Sequence, residues 1–72
     1  MTESMTIVLN GERVELPAHS SIRRLLELQG IRGRIAVEIN GEIVARSDYA
    51  QRKLQAGDRV EVVHAIGGGG SS

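Results

Sequence analysis

Seventy-two residues and 7.8 kDa hold one small domain, whose core is too limited for a large internal pocket. Nine Lys+Arg balance nine Asp+Glu, and Tyr49 is the only aromatic residue; these exclude nucleic-acid binding through bulk positive charge and a base-stacking platform. The absence of Cys excludes a disulfide scaffold, a thiol nucleophile, an iron–sulfur cluster and a Cys-based zinc site, and it suits a reducing cytoplasmic setting.

Residues 1–4 read as an N-terminal extension, without the basic-then-apolar pattern of a secretory signal. Met5-Thr6-Ile7-Val8-Leu9 is β-branched and apolar, as a strand should be. Asn10-Gly11 follows, a pair that accepts the positive φ angles of a type I′ hairpin turn. Arg13-Val14-Glu15-Leu16 alternates polar and apolar, and Pro17 is expected to stop it because proline cannot donate to a ladder. Residues 5–16 are therefore a predicted β-hairpin.

Either Ser20 or Ser21 can cap a helix. Ile22, Leu25, Leu26 and Gln29 fall at helical spacing, with Arg23, Arg24 and Glu27 outside. Gly30 suits the position after the last turn, so the helix is expected over about residues 21–29. At that length it needs docking on a sheet to persist.

Ile35, Val37 and Ile39 alternate with Ala36 and Glu38 in a third strand, and Asn40-Gly41 marks a second hairpin leading into Glu42-Ile43-Val44-Ala45. Arg46 to Leu54 shows no clean period and reads as a loop with at most one helical turn. Ala56-Gly57-Asp58 is a turn, and residues 59–66 form the last strand. No apolar run approaches the ~20 residues of a membrane span.

The order β-β-α-β-β-β makes this an α+β chain: a mixed sheet with one helix packed on one face, the β-grasp or ubiquitin-like architecture. The first and last strands should pair in parallel. Residues 5–66 would form the domain and 67–72 a flexible glycine-rich tail. Ile7, Leu9, Val37, Ile39, Val60 and Val62 should face the helix. By parity Val8, Val63 and one of Ile43 and Val44 should face away, giving an open apolar sheet face suited to docking.

The tail, Gly67-Gly68-Gly69-Gly70-Ser71-Ser72, has two readings. Gly/Ser tracts are commonly linkers. Glycine also has the narrowest cross-section of any residue and the widest conformational range, so a tail ending in glycine can thread a tight channel and present its carboxylate to an enzyme.

Ile7-Val8-Leu9-Asn10-Gly11-Glu12, Val37-Glu38-Ile39-Asn40-Gly41-Glu42-Ile43-Val44, Arg46, Leu54-Gln55-Ala56-Gly57-Asp58-Arg59-Val60-Glu61 and Val63-His64-Ala65-Ile66-Gly67-Gly68-Gly69 together resemble the ThiS family, the sulfur carriers of thiamine biosynthesis. The resemblance covers nearly all of residues 5–69. It implies a carrier, not an enzyme, with no bound cofactor. An adenylating, E1-like enzyme would use ATP-Mg to activate the terminal carboxylate. Sulfur from a donor such as a cysteine desulfurase would then give a thiocarboxylate, and thiazole synthase would take the sulfur. Gly69 would be the acyl donor, and Gly67 and Gly68 the threading segment. The candidate docking residues come from the strand pattern instead: Val8 and Val63 by parity, and His64 by its place just before the tail. Gly70-Ser71-Ser72 departs from the family pattern. These residues are an appended linker, or a protease removes them, or the terminal glycine is Gly68 or Gly70.

The small subunit of molybdopterin synthase shares this architecture and glycine end, and a non-carrier ubiquitin-like binding domain would share the fold alone. Among other candidates, a histidine at a strand end such as His64 is more often solvated than catalytic. His19 and His64 are too far apart in sequence for a zinc motif. Arg23, Arg24, Arg32 and Arg34 read as a solvated basic face, or as a steering surface for an acidic partner. No Gly-Lys-Ser/Thr follows the glycines, so they are not a P-loop.

Overall fold

The computed structural model describes residues 3–64. Two hairpins flank a helix: β1 (Ser4–Leu9), β2 (Glu12–Pro17), α1 (Ile22–Gln29), β3 (Ile35–Ile39), β4 (Glu42–Val44), a 3₁₀ turn at Arg46–Asp48, and β5 (Arg59–His64). One mixed sheet runs β2-β1-β5-β3-β4. The last strand lies in the middle, parallel to β1 through Val8↔Arg59 and Leu9↔Val60 and antiparallel to β3. This is the expected β-grasp order, and no helix among the described residues is long and apolar enough to cross a membrane.

Both hairpins close on Asn-Gly. Asn10 and Gly11 have φ of 49° and 86°, and Asn40 and Gly41 have 51° and 89°, the two successive positive values that a type I′ turn demands. Pro17 corrects the expectation that proline ends the hairpin before it: it is the last residue of β2, opposite Ser4. β2 is a sheet edge. Ala18 N–H donates to the Glu3 carbonyl, so Pro17 occupies the neighbouring position whose nitrogen points away from β1. A missing donor is harmless there.

Residues on one sheet face, among them Ile7, Leu9, Leu16, Val37, Ile39, Val44, Val60 and Val62, are buried with Ile22, Leu25 and Leu26 of the helix. Gln29 does not join them and is exposed. Ser21 is the N-cap, its Oγ accepting from Arg24 N–H at 3.1 Å. Ser20 is buried, and its hydroxyl donates to the Pro17 carbonyl at 2.6 Å.

The segment expected to be a loop with at most one helical turn has that turn at Arg46–Asp48 and also contributes to the core. Tyr49 and Leu54 are buried. Its carbonyls also serve the helix start: Ile22 N–H donates to Arg52 O, and Arg23 N–H to Tyr49 O, each at 3.0 Å. With the Ser21 side chain taking Arg24 N–H, the N–H groups of Ile22, Arg23 and Arg24, which have no carbonyl within the helix, all have partners; Leu25 N–H to Ser21 O is the first bond of the helix itself.

Candidate functional site

The last strand carries the sequence toward the glycines, so its surroundings define the site. Gly67, Gly68 and Gly69, with Ala65 and Ile66 of the predicted strand, lie outside the described residues. Within them, β5 is gripped from both sides by the two turn asparagines. On the β1 side, Asn10 N–H donates to Val60 O at 2.9 Å. The Asn10 carboxamide then takes the next step of the ladder: its Oδ1 accepts from Val62 N–H at 2.9 Å, and its Nδ2 donates to Val62 O at 3.3 Å.

On the β3 side, Asn40 N–H donates to Arg59 O at 2.7 Å and Asn40 Oδ1 accepts from Arg59 N–H at 2.9 Å. Asn40 Nδ2 donates to Asp58 Oδ1 at 3.1 Å, and the other Asp58 oxygen accepts from Gln55 N–H at 2.8 Å. The Ala-Gly-Asp turn is therefore stitched to the second hairpin through one carboxylate. The residue types of both turns were visible in the sequence. Their grip on β5 was not, because it spans 52 positions for Asn10–Val62.

Val8, Val63 and His64 are not brought together. Val63 is 58% exposed on the face away from the helix, opposite the half-buried Ala36 of β3. Ile43, 75% exposed, is opposite Glu38 on that same face. Val44 points into the core, so Ile43 is the outward residue of that pair. Val8 is half-buried and level with Arg59, about 13 Å along β5 from Val63 at the usual strand rise. His64 is exposed opposite Ile35, on the opposite side of the strand from Val63. The open face is mixed, since Arg59, Glu61 and Glu38 lie between these apolar residues.

A half-open hollow of about 290 Å³ lies at the end of α1, lined by Arg23, Leu26, Glu27, Gly30, Ile31 and Arg32. Its carboxylate, Glu27, is engaged by Arg23 at 3.4 Å and Arg24 at 3.8 Å in exposed pairs. The hollow contains no nucleophile. Among the described residues no group of three His, Asp or Glu side chains could hold a metal ion.

A fold of this topology, with a clamped central strand running into glycines, invites comparison with known proteins. The ThiS family's sequence pattern matches residues 3–69. The chain belongs to the ThiS family. The sulfur carrier protein ThiS of Escherichia coli is 33% identical over 66 residues, covering 90% of this chain and 100% of that protein.

Thiazole synthases of Paramagnetospirillum magneticum and Magnetococcus marinus are 44% and 42% identical over 66 residues. There the match covers 90% of this chain but 20% of each relative, so the chain spans about a fifth of their length. The crystal structure of the thiamine biosynthesis protein ThiS from Geobacter metallireducens superposes with a TM-score of 0.81 at 26% identity, over 90% of this chain and 100% of that one. The architecture is thus the ThiS β-grasp, an α+β fold with a mixed five-stranded sheet.

Proposed function

We propose that this chain is a sulfur carrier of thiamine biosynthesis, a protein cosubstrate with no catalytic side chain of its own. The observation that carries the reading is the similarity to the Escherichia coli sulfur carrier over that protein's full length. The family match also runs through Gly67, Gly68 and Gly69.

The chemistry follows from the carboxylate of Gly69 once hydrolysis of the Gly69–Gly70 peptide bond has made it terminal. A carboxylate resists nucleophiles because its negative charge is delocalised. In an E1-like partner its oxygen attacks the α-phosphorus of ATP-Mg, pyrophosphate leaves, and a mixed anhydride with AMP forms. Persulfide sulfur from a cysteine desulfurase then displaces AMP, and a thiol breaks the resulting S–S bond to leave a thiocarboxylate. Thiazole synthase takes that sulfur. Two relatives named thiazole synthase contain a segment similar to this chain, which supports close association between carrier and synthase.

In this reading the sheet face around Val63 and Ile43 meets the activating enzyme, with Val8 and His64 at the margins of that footprint. Gly67 and Gly68 pass through a channel that side chains would block.

The test is the intact mass of chains ending at Gly68, Gly69 and Gly70 after incubation with ATP, the activating enzyme, a desulfurase and cysteine. A species ending at a glycine, with one oxygen replaced by sulfur, is the expected product and identifies the terminal residue. If none of the three chains is converted under conditions where the Escherichia coli carrier is, the reading is overturned.

A further inference from the structure

We propose that Asn10 is a positioning residue for the carrier tail, acting through the backbone of β5 rather than on the reacting carboxylate. The inference rests on the sulfur-carrier reading. β1 ends at Leu9 and the chain turns away at Gly11, so its last backbone bond to β5 is Asn10 N–H to Val60 O. Val62 N–H and O face the same side, where no strand remains to pair with them. The Asn10 carboxamide supplies both an acceptor and a donor there, at 2.9 and 3.3 Å. One side chain thereby imitates the missing strand residue, and the β1 margin of β5 stays paired through Val62 instead of stopping at Val60.

The opposite margin is covered by β3 as far as His64, through Ile35. With the carboxamide in place, both margins are held close to the point where the glycine-bearing sequence leaves. A carrier works by delivering one terminal carboxylate into another protein's site. Every residue of β5 held in advance is one whose backbone freedom need not be lost on docking. Asn10 therefore sets how much of the strand is pre-ordered.

Asn10 has a positive φ, so two variants separate the turn from the clamp. Asn10→Gly keeps the turn conformation at little cost and removes the carboxamide. Asn10→Asp keeps the acceptor for Val62 N–H and loses the donor to Val62 O.

Amide hydrogen exchange on the full chain is the first readout. In Asn10→Gly the Val62 amide is expected to exchange about tenfold faster, as for losing a hydrogen-bond partner, while Ile7 and Val37 keep their protection; Asn10→Asp restores most of it. Unchanged protection at Val62 overturns the clamp. The second readout is ATP–pyrophosphate exchange catalysed by the activating enzyme, on the terminal form that the mass experiment identifies. The expected result is a several-fold lower kcat/KM for Asn10→Gly, recovered in Asn10→Asp.

Equal kcat/KM for Asn10→Gly and wild type, with Val62 deprotected, overturns the positioning role and leaves the carrier reading intact. Wild-type chain that supports no pyrophosphate exchange overturns the carrier reading and the positioning role with it. The clamp would then stand as a structural contact only.

Discussion

Asp58 accepts hydrogen bonds from two separate parts of the chain, Gln55 N–H in its own turn and the Asn40 carboxamide in the second hairpin. Asp58→Ala removes both acceptors and should lower stability by about 1–2 kcal/mol, read as a lower urea midpoint at unchanged slope. Its neighbour Gly57 has φ of 86° and nothing within 4 Å of where a Cβ would stand. Any penalty of Gly57→Ala is therefore backbone strain without a clash, about 1–2 kcal/mol, and the same titration measures it. Gly57 was legible as a turn former because a positive φ is a local demand, and Asp58 because a short acidic side chain bonds readily to its own turn. Their partners were not, because Asn40 and Asp58 meet only once the strands are paired.

At the scale of elements, α1 depends on what it packs against. Eight residues are too few for a helix to persist alone, and its exposed Arg–Glu pairs add only about 0.3–0.5 kcal/mol each. Leu25 is fully buried while Leu28 is 46% exposed. Leu25→Ala should cost about 2–5 kcal/mol, enough to unfold a domain with only ~3–5 kcal/mol from its core. Leu28→Ala should stay within about 0.5 kcal/mol. Thermal unfolding followed by circular dichroism distinguishes the two. The helix was legible because its apolar stripe repeats every three to four residues. Arg46–Leu54 was not: Tyr49 and Leu54 enter the core at no regular period, and the carbonyls of Tyr49 and Arg52 serve a helix far back in the sequence. Pro17 was misjudged for a related reason, since tolerance of proline depends on lying at an edge, and strand order is a tertiary property.

For the whole molecule, alternation along each strand was enough to sort residues between faces. It could not say how far apart on a face they lie, so Val8 and Val63 were grouped although the register sets them at different levels. Val63→Asp, at an exposed position, should leave stability within about 0.5 kcal/mol and weaken binding to the activating enzyme by about tenfold or more; calorimetric titration against that enzyme gives the number, and equal affinity would remove this face from the footprint. Val8→Asp is the poorer probe because Val8 is half-buried in a central strand. The position of β5 between β1 and β3 has a consequence during synthesis on the ribosome. Until Arg59–His64 has emerged, the two earlier hairpins share no hydrogen-bonded strand and the middle of the sheet is vacant. The sheet therefore closes only when β5 pairs with both hairpins, and until then the apolar faces of the hairpins and of α1 lack their central partner.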